Sequence, residues 1–235
     1  MDPHIHAFEE TFYILEGSVV VQIGDAAYLL KPGHFGLIGT GVRHAWRAVG
    51  DQPVRWLEMQ SPQPRAPSAG RDTFFVGGDA PSAQASAPDL AQTAGLIGHF
   101  DESQLPRPGA PSEMEGFNPT TGVAIKMFVD RSFGAVHQSL FLIQYMPGAK
   151  IDPHDHAFEE SYLIVGGRFV PSPMAKPTIW AWAMPSGRAS AVSTASPTSA
   201  ASRCAGSRRR LRCRPPKKYS ASSATGRSTP MIENE

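Results

Sequence analysis

Apolar and β-branched residues come in short runs that alternate with polar ones and stop at glycine, Pro-Gly or Gly-Asp, the period of half-buried strands. Thr11-Phe12-Tyr13-Ile14-Leu15-Glu16 runs into Gly17. Val19-Val20-Val21-Gln22-Ile23, the Gly24-Asp25 turn and Ala27-Tyr28-Leu29-Leu30 predict a hairpin. Residues 123–129 and 138–145 read as two more strands, bounded by Asn118-Pro119, Asp130 and Pro147-Gly148. Ser161-Tyr162-Leu163-Ile164-Val165 is another, closing on Gly166-Gly167. The pattern predicts an all-β chain.

Residues 61–92 are rich in Pro, Ser, Ala and Gly without sustained period, and the stretch 61–115 is predicted to be a linker or long surface loop. The expected organisation is a first module over 1–60, this linker, part of a second module over 116–169, and a low-complexity tail over 170–235. Net charge is +1, but residues 170–235 hold eleven Lys or Arg against two acids. The chain is acidic first and basic last. No run of eighteen apolar residues occurs, and Met1-Asp2-Pro3-His4 is not the start of a charged-then-apolar leader. A soluble, cytoplasmic protein without membrane contact is expected. Cys204 and Cys213 lack a Cys-x-x-Cys spacing or a nearby histidine, which supports neither a disulfide scaffold nor a zinc finger.

One segment occurs twice. Residues 2–10 read Asp-Pro-His-Ile-His-Ala-Phe-Glu-Glu and residues 152–160 read Asp-Pro-His-Asp-His-Ala-Phe-Glu-Glu, and each leads into a strand that ends at glycine. Histidines two residues apart on a strand point to one face, so His4 and His6 can share an ion, as can His154 and His156. A glutamate on the following strand adds an anionic oxygen. Alternation favours Glu10 over Glu9 in the first copy, and so Glu160 in the second. Imidazole with carboxylate suits a divalent transition metal better than magnesium or calcium, and manganese, iron, cobalt, nickel, copper and zinc all accept these donors. A strand merely carrying surface histidines is the plainer alternative, weakened by the repeated glutamate and by His44 downstream.

The run His4-x-His6-x-x-x-Glu10-x6-Gly17, followed by Gly39-x-Gly41-x-x-His44, resembles the paired motifs of the cupin superfamily, with Gly39 where the second motif has proline. The resemblance implies a small jelly-roll barrel in which His4, His6, Glu10 and His44 hold one ion per complete site. The duplication implies a bicupin similar to quercetin dioxygenases and oxalate decarboxylases, with open metal positions for water, dioxygen or a chelating small oxygenated metabolite. His154, His156 and Glu160 are the matching candidates in the second copy. His34 stands where cupins carry aspartate and is expected to be a turn residue. Trp46, Phe35, Phe8 and Phe158 are expected to fill core or to line a pocket.

Both modules look incomplete. The first copy begins at its histidines, without the strands that precede the second copy. At an offset of 150 the fourth ligand of the second copy would be residue 194, which is Thr194. Residues 185–210, dominated by Ser, Ala, Arg, Pro and Thr, are expected to build no packed sheet, and the break near 169 suggests a reading-frame shift. A basic nucleic-acid arm over 207–218 is the lesser alternative, since aromatic interleaving is missing. Another is a composite barrel, within one chain or in a domain-swapped homodimer, that joins His154, His156 and Glu160 to His44. A metal-dependent enzyme, a non-catalytic small-molecule-binding cupin and the inactive product of a damaged gene are the functional readings.

Overall fold

A computed structural model describes residues 1–62, 64–65, 70–110, 122–152, 154, 157–167, 178–181 and 189–197, all within the compact unit Met1–Ala201. The strands are β1 (His4–His6), β2 (Glu9–Glu16), β3 (Ser18–Ile23), β4 (Ala26–Leu30), β5 (His34–Ile38), β6 (His44–Val49), β7 (Arg55–Ser61), β8 (Thr73–Phe75), β9 (Ile97–His99), β10 (Val123–Val129), β11 (Ser139–Tyr145), β12 (Phe158–Gly166), β13 (Thr178–Ala181) and β14 (Ala189–Pro197). Only a single 3-10 turn, Glu102–Gln104, interrupts the all-β pattern among the described residues. None of the described helical segments is long and apolar enough to cross a membrane.

The first sheet runs β4-β3-β6-β1-β8 and the second β7-β2-β5-β9. They enclose one core, the jelly-roll arrangement, because alternate side chains of each strand are apolar and turn toward the facing sheet. Phe12 and Ile14 of β2 meet Val19 and Val21 of β3 there, with Trp46 set edge-on to Phe12 at 5.1 Å. Gly17, at φ 76°, makes the β2–β3 turn, and a Cβ there would collide with the Pro53 carbonyl oxygen.

The third sheet runs β10-β11-β14-β12-β13. Its β10–β11 hairpin packs on the outer face of the second sheet. Phe128 of β10 stacks on Tyr13 at 5.4 Å and on Phe35 at 4.7 Å, while Leu140 and Leu142 join Leu37. Val123, Ile125, Phe141 and Ile143 gather on the opposite face of the hairpin. The second sheet therefore lies between two apolar cores.

Two expectations need correction. The stretch read as a linker or loop contributes β8, paired with β1, and β9, paired with β5. Three-residue strands are too short to show a period, and both lie at sheet edges. Residues 189–197, expected to form no sheet, are β14, paired with β11 on one side and β12 on the other. Ladder hydrogen bonds need backbone rather than bulky side chains, so Ala, Ser, Val and Thr suffice between two partners. Thr194, in the slot of the missing fourth ligand, lies opposite Leu140 and Ser161. Apart from β13 and β14, the basic tail, with both cysteines, lies outside the described residues.

Candidate metal centre

The site is assembled from three strands. On β1, period-two alternation turns His4 and His6 to the interior, where they are buried. β6 pairs with β1 so that His44 stands opposite His4, with their rings 4.1 Å apart. The turn between β5 and β6 fixes this register: the Gly41 N–H donates to the His6 carbonyl at 2.8 Å and the Val42 N–H to that of Gly39 at 3.1 Å. From the facing sheet, β2 brings Glu10, 1% exposed.

The imidazoles converge through one nitrogen each. Nδ1 of His4 lies 2.7 Å from the Asp2 carbonyl oxygen and Nδ1 of His44 lies 2.9 Å from that of Val42. A carbonyl only accepts, so both Nδ1 atoms carry hydrogen and both Nε2 atoms face inward. His6 Nδ1 meets the Thr73 hydroxyl at 2.9 Å. Donor atoms of the three histidines lie within 4.8 Å of one another. Glu10 Oε2 is 3.1 Å from His6 Nε2 and 3.6 Å from His44 Nε2. Glu10 Oε1 and His44 Nε2 are buried with no hydrogen-bond partner, a costly state for protein alone. Four donors about one ion at ~2.1 Å stand roughly 3–3.5 Å apart, so a small contraction of this cluster fits a transition-metal ion.

Residues 1–59 match the family model described as the cupin domain. These first residues are thus a cupin domain. The glyoxylate-induced protein of Pseudomonas aeruginosa is similar at 12% identity, 86% of this chain, 70% of that one and TM-score 0.48. The salicylate 1,2-dioxygenase of Pseudaminobacter salicylatoxidans is similar at 14%, 83%, 67% and 0.48, and the oxalate decarboxylase of Bacillus subtilis at 14%, 83%, 58% and 0.44. The chain thus spans less than two thirds of the decarboxylase's length. No curated protein sequence matches it.

Inside the cupin domain, charge is shared unevenly. Burial works against the Glu10 carboxylate, but its contacts with His44 and His6 outweigh burial and hold its pKa below the ordinary value. For His44, burial is again the largest influence and opposes charge, yet Glu10 and the Val42 carbonyl lift its pKa above 6.5. His4, where burial dominates and the neighbouring imidazoles add to it, is pushed below 6.5. In the metal-free pocket Glu10 therefore favours the charged form of His44, while burial favours the neutral form of His4.

Of the sequence-predicted ligands, the cupin domain brings together His4, His6, Glu10 and His44. His154 is exposed, with Nδ1 2.9 Å from the Asp152 carbonyl oxygen, repeating the His4–Asp2 contact. Glu160, half-buried on β12, lies close enough to Tyr145 to join burial in pushing that phenol up to about 12. His156 lies outside the described residues. The composite barrel within one chain is corrected, since His44 is committed to His4 of its own module. His34 is not a turn residue: it opens β5 opposite His99 of β9, ring centroids 4.7 Å apart. Trp46 and Phe35 fill cores, Phe8 stacks on His6 at 4.3 Å and Phe158 is exposed.

Three contributors escaped the sequence reading. Glu9, 4% exposed on the opposite face of β2 from Glu10, accepts hydrogen bonds from the N–H groups of Val136 and His137 at 2.8 and 2.7 Å. Its recurrence as Glu159 was the available signal. Thr73 and Phe75 stand opposite His6 and His4 on β8. Phe75 is 68% exposed and its ring is 5.6 Å from that of His4. No motif marks either residue.

Proposed function

We propose that the chain is a metal-dependent bicupin enzyme, dioxygenase-like or related in chemistry, acting on a small oxygenated metabolite. The observation that carries this reading is the mutual convergence of three buried imidazoles, two of them within 3.1 and 3.6 Å of Glu10 Oε2, with Glu10 Oε1 and His44 Nε2 left without partners. Nε2 of His4, His6 and His44 and the Glu10 carboxylate would hold one divalent ion of manganese, iron, cobalt, nickel, copper or zinc. When bound, that ion supplies Lewis acidity and open coordination positions.

The chain's own side chains set the rest. Three neutral imidazoles and one carboxylate leave a dication under-neutralised by one charge, which favours an anionic oxygen donor such as a carboxylate or enolate. Phe8 and Phe75 give the site apolar flanks, and the exposed Phe75 ring marks a side on which a small molecule can approach. The repeated His-x-His-x-x-x-Glu supports the bicupin reading, with modules over 1–60 and 116–169 and with His154, His156 and Glu160 as the second candidate set. That set has threonine in place of a fourth ligand, so the first site is the one assigned the tight ion.

Elemental analysis of the purified protein tests this. We expect close to one equivalent of a transition metal per chain, lost in His44→Ala and kept in His154→Ala. A wild-type chain that carries no ion, and takes up none on dialysis against each of the six metals, would sink the reading. Loaded protein incubated in air with hydroxy, keto and phenolic acids then separates enzyme from binder: a binder returns its ligand unchanged.

A further inference from the structure

Two of the three imidazoles in the candidate centre are held by their own strands. His4 and His44 each point Nδ1 at the carbonyl two residues earlier, Asp2 at 2.7 Å and Val42 at 2.9 Å. His6 has no such local partner, and its Nδ1 lies 2.9 Å from the hydroxyl of Thr73, 67 residues downstream. We propose that Thr73 is the positioning residue of the His6 ligand, its hydroxyl holding the ring so that Nε2 faces Glu10 and the centre. This rests on the metal-site reading above.

The register supports a built contact. β8 lies antiparallel to β1, with Thr73 opposite His6 and Phe75 opposite His4. The Ala7 N–H bonds to the Asp72 carbonyl at 2.8 Å and the Val76 N–H to that of Pro3 at 3.0 Å. Those bonds flank the triplet, so His6–Thr73 and His4–Phe75 occupy the non-hydrogen-bonded positions, where opposed side chains approach most closely. The start of β8 is anchored in turn, since the Asp72 carboxylate accepts from Arg65 Nε at 2.7 Å.

The chemistry of the partner distinguishes His6 from its neighbours. A carbonyl accepts only and fixes one tautomer, whereas a hydroxyl donates or accepts by rotating. In the metal-free site His6 carries its hydrogen on Nε2 and donates to Glu10 Oε2 across 3.1 Å, while the Thr73 hydroxyl donates to Nδ1. With an ion in place the hydrogen sits on Nδ1, the hydroxyl accepts it, and Nε2 presents a lone pair. Thr73 satisfies the ring in both states.

The test compares Thr73→Val, which keeps a β-branched strand residue of similar shape, with Thr73→Ser, which keeps the hydroxyl. Competition titration with zinc or cobalt chloride is expected to show a dissociation constant raised about 10–100-fold in Thr73→Val and restored to within a few-fold by Thr73→Ser. The visible spectrum of the cobalt-loaded valine variant changes, and that of the serine variant matches wild type. Nitrogen-15 imidazole spectra of wild type need no variant: His6 is expected to move from the Nε2–H to the Nδ1–H form on zinc loading. Unaltered zinc affinity and cobalt spectrum in Thr73→Val, or a His6 tautomer indifferent to zinc, overturns the positioning role while leaving the metal site standing. A wild-type chain that binds neither ion overturns both.

Discussion

At the scale of single residues, burial lowers His4 and His34, whereas the carboxylate of Glu10 overrides burial at His44. His34 at the head of β5 is pushed below its ordinary 6.5, first by burial and then by His99 and the Lys31 charge, against the Lys31 carbonyl bond that favours its charged form. A histidine whose folded pKa is lowered binds fewer protons folded than unfolded, so the stability it supports is present above 6.5 and is lost as pH falls through the folded value. His4 acts in the same direction, its lowering led by burial. His44 runs the other way: its folded pKa is raised, so its contribution is whole below 6.5 and disappears as pH rises through the folded value. The metal-free protein is therefore expected to lose unfolding free energy as pH falls below 6.5 through the lowered pKa values of His34 and His4, and His34→Gln to flatten that slope. Urea unfolding at half-unit pH steps measures it. An unchanged slope in the variant would remove His34 from the account.

At the scale of elements, β2 is the strand on which the site turns. Its alternation sends Glu10, Phe12 and Ile14 to the interior of the first barrel and Glu9 and Tyr13 to the third sheet. Glu9→Ala strands two amides at the contact with the 136–137 backbone and is expected to cost about 2–4 kcal/mol, measured by urea unfolding of the full chain. A loss well under that range would mean water replaces the carboxylate. β2 and its repeat β12 were legible in the sequence because each is long enough to alternate and ends at glycine. Glu10 could be chosen over Glu9 for the same reason. β8, β9 and β14 were not legible: two have three residues, and the third is a run of mostly Ala, Ser and Thr paired through its backbone with β11 and β12. The partner of His6 was invisible because no local spacing encodes a contact between residues so far apart in the chain.

At the scale of the whole molecule, the second sheet is the wall between the first barrel and the β10–β11 hairpin. Adjacent glutamates on one strand of that wall serve opposite sides, Glu10 toward the imidazoles and Glu9 toward the amides of Val136 and His137. An ion that tightens the first grip must slow the breathing of β2, and the second grip rides on the same backbone. Loading zinc should therefore lengthen the deuterium-exchange lifetimes of the Val136 and His137 amides, although neither touches the centre. Metal occupancy becomes readable from the far side of the partition.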